Sequence, residues 1–133
     1  MYKSGGITCS GNYGWAESTE YKKFMTEEMQ RAKLVIKNHG IDALAFMGSS
    51  GCAIAFPLAY LTGVGLIYIR KPGEKSHGSH IECSLQNAKK IMIVDDFIAT
   101  GKTMKRIVGT LHDFLDYRDV DATISGIFLY NEP

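Results

Sequence analysis

The sequence predicts an α/β domain whose central, mostly parallel sheet is covered by helices. Short, continuously apolar segments alternate along the chain with longer segments of helical periodicity, which is typical of a parallel sheet covered on both faces. Two loops rich in small residues follow the ends of predicted strands, where such sheets bind their ligands. The 133 residues suit one domain with a real core, and no repeat or linker divides residues 1–133.

Three segments carry the helical signal. The first begins at about residue 18 or 19 and reaches residue 38, where Gly40 is a suitable stop. The second, 52–62, is apolar nearly all round, so we expect a buried helix that Pro57 kinks. The third, 103–117, has apolar residues at helical spacing.

The apolar runs between these helices are expected to form the strands. Residues 48–51 are expected to form a tight turn and residues 70–78 a loop, because both are rich in glycine or polar residues. The element order is therefore helix, strand, helix, strand, loop, strand, helix, strand. The strands are expected at 41–47, 64–69, 91–94 and 123–130.

Composition excludes several classes of protein. The net charge of +1 gives no indication of nucleic acid or a membrane surface as partner. Three widely spaced cysteines argue against a disulfide framework and a structural zinc site. No apolar run reaches the length of a membrane span, and no signal pattern opens the chain. We therefore expect a cytoplasmic protein.

The segment after the 91–94 strand suits a ligand that carries both a phosphate and a sugar. Asp95 and Asp96 follow the strand, and a turn of small residues leads into the third helix. Backbone N–H groups in such a turn and the helix N-terminus attract anions. The carboxylates would repel a phosphate, but they suit sugar hydroxyls or Mg²⁺. A nucleotide P-loop is excluded, because the glycine it requires five residues before Gly101 is here Asp96.

Residues 91–104, IMIVDDFIATGKTM, resemble the signature of type I phosphoribosyltransferases. This resemblance implies that 5-phosphoribosyl-1-pyrophosphate, called the donor below, binds at the loop. It implies that Asp95 and Asp96 bind the ribose 2- and 3-hydroxyls and, directly or indirectly, Mg²⁺. The resemblance also implies that the 5-phosphate lies in the turn formed by Ala99, Thr100, Gly101, Lys102 and Thr103.

The turn after the 41–47 strand resembles the pyrophosphate loop of the same family, whose backbone amides receive the leaving group. Its residues are Gly48, Ser49, Ser50 and Gly51. Family members often have a cis peptide in this loop, which would match Ser49–Ser50. An ordinary glycine turn is the alternative.

The loop 70–78 resembles the flexible catalytic loop of orotate phosphoribosyltransferases, with one extra residue between its two parts. The resemblance implies that Lys71 and Lys75 contact the pyrophosphate and that His77 lies close by. Arg70 completes the set of cations in the loop. A solvated charged loop is the alternative.

The implied function is Mg²⁺-dependent transfer of a phosphoribosyl group to a nucleobase, with release of pyrophosphate. A non-catalytic relative that senses the donor or a nucleotide is the alternative, and a subunit whose apolar surface serves assembly is a third reading. The family also implies a homodimer.

The accepting base stays open. Ala99 stands where 6-oxopurine enzymes have an aspartate, and it matches adenine and orotate enzymes. The flexible loop favours orotate, whereas the Thr-Gly-x-Thr turn favours purines. In the family that the chain resembles, a variable segment outside the core, called the hood, recognises the base, and here it is expected to be reduced to residues 1–16. Tyr2, Tyr13 and Trp15 can stack on a base there, and packing on the core or on a partner chain is the alternative.

Overall fold

The predicted fold class is confirmed by a five-stranded, mostly parallel sheet flanked by helices. The computed structural model describes residues 22–71, 73, 81–83, 88–96, 98 and 100–130, with side chains from Met25 onward. The helices in this part of the chain are α1 (Lys22–His39), α2 (Gly48–Thr62) and α3 (Lys102–Arg118). The strands are β1 (Ala43–Met47), β2 (Gly65–Ile69), β3 (Ile81–Cys83), β4 (Lys90–Asp95) and β5 (Thr123–Leu129).

The strand order is β3-β2-β1-β4-β5, so β1 lies at the centre of the sheet. β1 pairs in parallel with β2 and with β4, and β5 extends the parallel part on the far side of β4. β3 adds an antiparallel edge next to β2. The sequence did not predict β3, because three residues are too few to show a strand pattern.

Alternate residues of each strand point to opposite faces of the sheet, and each face has its own core. Helices α1 and α2 cover one face, and α3 covers the other. The buried helix residues on the first face are Ala32, Ile36, Ile54, Ala55 and Leu58. Those on the second face are Ile107, Leu111 and Leu115.

The predicted end of the first helix is confirmed, since Gly40 has a φ of +63° just after His39. Two expectations for the second helix are wrong. The segment 48–51 is the first turn of α2 rather than a separate turn before it. The helix is also not buried on all sides, because only one side packs on the sheet and the outer side exposes large apolar residues. These are Phe56, Tyr60 and Leu61, with exposed fractions of 50%, 90% and 55%.

Within the described residues, no helix combines the length and the apolar character needed to cross a bilayer.

Candidate functional site

The two predicted ligand loops meet at the carboxyl edge of the sheet. β1 and β4 are parallel neighbours, so the chain leaves both strands at the same edge. Gly48 follows the last residue of β1 directly, and Asp95 is the last residue of β4. The sheet therefore brings together segments that lie 45 residues apart in sequence, as the Ser50–Asp95 contact shows.

Glycine at position 51 lets α2 begin close against the sheet. A Cβ at Gly51 would lie 2.5 Å from the Cβ of Phe46 and 3.2 Å from the carbonyl oxygen of Val94. A real Cβ does not approach another carbon so closely, so a larger residue here would push the helix away. The first turn of α2 is therefore packed directly on the ends of β1 and β4.

Hydrogen bonds join this first turn to Asp95. The Ser50 hydroxyl donates to Oδ1 of Asp95 over 2.9 Å, and the backbone N–H of Asp96 donates to the same oxygen over 2.9 Å. The Tyr130 hydroxyl donates to the carbonyl oxygen of Ser50 over 2.6 Å. The backbone N–H of Tyr130 donates to the carbonyl oxygen of Asp95 over 3.2 Å. Three segments of the chain thus meet at Asp95, two at its backbone or side chain directly and all three through hydrogen bonds to one another.

Asp95 is held in an environment that disfavours its charged form. Its side chain is 5% exposed, although it ends in a carboxylate. Burial raises the pKa of Asp95 most strongly, hydrogen bonds from the Asp96 N–H and the Ser50 hydroxyl lower it, and the neighbouring Asp96 carboxylate raises it. The net result is a pKa of about 6. A buried carboxylate at the edge of a ligand-binding sheet is a candidate functional group.

Lys71 lies over the start of α2. Its Cε and Nζ atoms are 2.6 Å and 3.1 Å from the position that a Cβ would take at Gly48, which has a φ of +73°. A cation therefore lies at the N-terminus of α2, where the resemblance of residues 48–51 to a pyrophosphate loop predicts that the pyrophosphate binds. Arg70 has a different partner, since its guanidinium forms an ion pair with Glu82 of β3 and stands over the ring of Tyr68 at 5.3 Å.

The turn before α3 also has the geometry of an anion-binding loop. Gly101 has a φ of +79°, and α3 begins at Lys102. The Lys102 N–H contacts the hydroxyl oxygen of Thr100 at 3.4 Å. Thr100, Lys102 and Thr103 are exposed, so their donors face solvent at a helix N-terminus.

Several predicted features lie outside the described residues: Lys75, His77, Ala99 and the 1–16 segment. The expected cis peptide at Ser49–Ser50 is wrong, because no cis peptide bond occurs in the part of the chain that the structure describes. Both serines lie in the first turn of α2, and helical geometry uses trans peptides.

The metal-binding capacity of the site rests on two neighbouring carboxylates, Asp95 and Asp96. The described segments hold no cluster of three or more His, Cys, Asp or Glu side chains arranged for a metal ion. An ion that takes part of its coordination from water and from a bound ligand suits such a pair, and Mg²⁺ is such an ion.

Tyr130 is the residue that sequence reasoning missed. The sequence places it at the end of the last predicted strand, and a single tyrosine in an apolar strand carries no functional signal. Its contact with Ser50 spans 80 residues, so only the folded sheet reveals it.

Comparison with known proteins finds relatives among the phosphoribosyltransferases. The chain is 32% identical over 93 residues to the adenine phosphoribosyltransferase of Nitrosospira multiformis, a match that covers 58% of this chain and 53% of that protein. The chain spans about half the length of the curated relatives it matches. A scan against models of known protein families gives no match.

Solved structures share the fold. The adenine phosphoribosyltransferase of Thermoanaerobacter pseudethanolicus superposes with a TM-score of 0.54 at 22% identity, covering 87% of this chain and 84% of that one. A phosphoribosyltransferase from Corynebacterium diphtheriae gives a TM-score of 0.61 at 19% identity, covering 83% and 66%. The resemblance to phosphoribosyltransferases inferred from residues 91–104 is thereby confirmed.

Proposed function

We propose that this protein transfers the phosphoribosyl group of the donor to a nucleobase and releases pyrophosphate. The hydrogen bond of 2.9 Å between Ser50 and Asp95 carries the proposal. It joins the turn assigned to the pyrophosphate to the carboxylate assigned to the ribose hydroxyls. Because pyrophosphate and hydroxyls sit on one ribose ring, the segments that bind them must be neighbours.

The first turn of α2 supplies the electrostatics that the leaving group needs. The first N–H groups of a helix have no partner within the helix and favour a bound anion. Lys71 adds a positive charge above Gly48. As the bond from ribose C1 to the pyrophosphate breaks, negative charge grows on the leaving group. Donors fixed at that place stabilise the charge without having to reorganise.

Asp95 and Asp96 are assigned to the ribose. Ionised carboxylates accept hydrogen bonds from hydroxyls, and the Ser50 hydroxyl and the Asp96 N–H fix one Asp95 oxygen in place. The turn 99–103 receives the 5-phosphate. Mg²⁺ would be held by this carboxylate pair together with oxygens of the donor, and when bound it would neutralise charge on the pyrophosphate.

Adenine is the first base to test, because the relatives reported above are named for it. The base would approach from the carboxyl edge of the sheet. Arg31 of α1 donates to the carbonyl oxygen of Leu129 at this edge, whereas the carbonyl of His39 accepts from Lys90 at the opposite edge. The N-terminal end of α1 therefore points to the site edge, which favours 1–16 as the hood. A homodimer and a cytoplasmic location complete the proposal.

The experiment is an assay of pyrophosphate release with the donor, Mg²⁺ and a panel of bases that includes adenine, hypoxanthine, guanine, orotate and uracil. Release with one base establishes the reaction and identifies the acceptor. The matched control is the double variant Asp95→Asn, Asp96→Asn, which should neither bind the donor nor release pyrophosphate while it stays folded. Donor binding without release from any base would contradict the transfer reaction and favour the non-catalytic sensor.

Lys75 tests the role of the flexible loop. Lys75→Ala should lower kcat while leaving the affinity for the donor nearly unchanged, because a loop cation that stabilises the departing pyrophosphate acts mainly in the transition state. Steady-state kinetics with varied donor concentration measure this. A raised donor KM with unchanged kcat would show that the loop only clamps the donor.

A further inference from the structure

A tyrosine from the last strand joins the two loops of the site. Tyr130 follows β5 and is 1% exposed. Its hydroxyl holds the carbonyl of Ser50, and its backbone N–H holds the carbonyl of Asp95. The Ser50 hydroxyl then closes the ring of contacts by donating to Oδ1 of Asp95. Each of the three segments is therefore bonded to the other two.

The hydroxyl of Tyr130 fixes the direction of a whole peptide unit. The Ser50 carbonyl and the Gly51 N–H belong to the same planar, trans peptide, so they point to opposite sides. When Tyr130 holds the carbonyl at 2.6 Å, the N–H of Gly51 is aimed the other way. In a helix that begins at Gly48 with Met47 as its N-cap, this N–H makes the first hydrogen bond of the helix, to the carbonyl of Met47. The N–H groups of Gly48, Ser49 and Ser50 have no partner within the helix, and Tyr130 holds the turn that carries them.

The hydroxyl keeps its proton throughout the ordinary pH range. Burial raises the pKa of Tyr130 well above its usual value, and the negative charges of Asp96 and Asp95 raise it further. The hydroxyl is therefore a permanent donor to Ser50.

Beyond this, the end of β5 is itself anchored. Arg31 of α1 donates to the carbonyl oxygen of Leu129 over 2.8 Å, and its guanidinium stands 4.2 Å above the ring of Phe128. Tyr130 thus extends from a strand end that is held by the helix on the same face of the sheet.

We propose that Tyr130 is a positioning residue for the donor: it holds the pyrophosphate-binding turn 48–51 at a fixed distance and orientation relative to Asp95. This inference rests on the proposed function. Tyr130 itself touches no reacting atom and acts through Ser50.

The test combines Tyr130→Phe with Ser50→Ala. Tyr130→Phe removes only the hydroxyl and keeps the buried ring. Donor affinity in the presence of Mg²⁺ should fall about tenfold, the effect of one lost hydrogen bond. Ser50→Ala removes the next hydrogen bond, from the Ser50 hydroxyl to Asp95, and should cause a similar loss. The double variant should bind the donor little more weakly than the more damaging single variant, because the two hydrogen bonds are consecutive links of one connection between Tyr130 and Asp95. Tyr117→Phe is the matched control, since Tyr117 is 86% exposed on α3, and it should bind the donor like the parent protein.

Kinetics separate positioning from general loss of structure. Tyr130→Phe should raise the KM for the donor and leave the KM for the base unchanged. A merely structural defect would lower the active fraction, and so kcat alone. An unchanged donor KM, or losses that add in the double variant, would overturn the proposal.

Amide hydrogen exchange on the ligand-free protein tests the linkage without any activity. Exchange in the peptide 48–53 should speed up in Tyr130→Phe, while exchange in the α3 segment 111–118 should not change. Unchanged exchange at 48–53 would overturn the proposal. If the parent protein fails to bind the donor, the proposed function is overturned, and the exchange result still decides whether Tyr130 holds the turn.

Discussion

Two aspartates lie at opposite ends of the parallel strands and are held in different ways. Asp42, just before β1, is exposed, and its Oδ2 accepts the N–H groups of Lys89 and Lys90 at 2.9 Å and 3.2 Å. Asp95, at the end of β4, is 5% exposed and has its pKa raised to about 6, mainly by burial. Asp42 ties β4 to β1 while keeping its contact with water, whereas Asp95 has given up most of its hydration.

The difference sets the end of the strands where a carboxylate stabilises the fold apart from the end where we propose that the ligand binds. A solvated carboxylate that accepts two backbone hydrogen bonds stabilises the fold. A buried carboxylate beside a second one lowers the stability of the folded state whenever it is charged. Such a group is understandable where a ligand supplies the missing partners, and the proposed ribose hydroxyls would do so.

The largest expected effect comes from Asp95→Asn. Donor affinity should fall by about 100-fold or more, because a neutral amide is a weaker acceptor for two hydroxyls and places donors where acceptors are needed. At pH 7.5 the ligand-free variant should nevertheless be more stable than the parent protein, by about 2 kcal/mol, because the buried charge is gone. Calorimetric titration of the donor and urea unfolding measure the two effects.

The stability gained by Asp95→Asn should increase as pH rises. In the folded protein the pKa of Asp95 lies above its usual value, so the folded state keeps the proton up to a higher pH than the unfolded chain does. The stability of the parent protein should therefore fall as pH rises from about 4 to about 6, relative to Asp95→Asn. Below pH 4 the difference in stability between the two proteins should no longer change with pH. If Asp95→Asn is less stable than the parent protein at pH 7.5, the charged Asp95 carboxylate does not destabilise the folded state.

Gly51→Ala should have the next largest effect. The added methyl group would lie 2.5 Å from the Cβ of Phe46, so α2 must shift, at a cost of about 3 kcal/mol in unfolding free energy. Gly63→Ala, at the other end of α2, is the control. Gly63 has a φ of +76° and no atom within 4 Å of an added Cβ, so the cost there should be about 1 kcal/mol. A loss at Gly51 no larger than the loss at Gly63 would show that α2 accommodates the methyl group and that close packing on Phe46 is not needed.

Asp42→Ala should have a smaller effect, confined to stability. Removal of the carboxylate leaves the N–H groups of Lys89 and Lys90 to solvent, at a cost of about 1 to 2 kcal/mol. Donor affinity should not change, because Asp42 lies at the edge opposite to the site. Thermal denaturation and donor titration of this variant check both statements. Weakened donor binding would show that the two edges are coupled.

The smallest expected effect belongs to Arg31→Ala. The loss of one hydrogen bond to Leu129 and of the contact with the Phe128 ring should cost about 1 kcal/mol. The melting temperature of this variant should be slightly lower than that of the parent protein. Its affinity for the donor should fall less than in Tyr130→Phe, because Arg31 acts one step further from Ser50. Donor binding weakened more than in Tyr130→Phe would place Arg31 closer to the ligand than we infer.

Periodicity and turn chemistry were enough for the regular elements. The 3.6-residue pattern of α3, the apolar run of β4 and the stop at Gly40 are local signals, and the structure confirms all three. The errors arose where packing decides. β3 is too short to show a pattern, and the outer side of α2 is apolar in sequence but exposed in the fold, with Tyr60 at 90%.

The sequence by itself determined the fold class and the chemistry offered at the edge of the sheet. A parallel sheet follows from apolar strands between helices, and a strand that ends in Asp95 and Asp96 before a small-residue turn predicts what kind of ligand binds there. Tertiary structure alone decided how that chemistry is tuned. Tyr130, Ser50 and Asp95 come from three separate segments, and their hydrogen bonds exist only because the sheet places β1, β4 and β5 side by side. The raised pKa of Asp95 has the same origin, since burial is a property of the packed chain and not of any local run of residues.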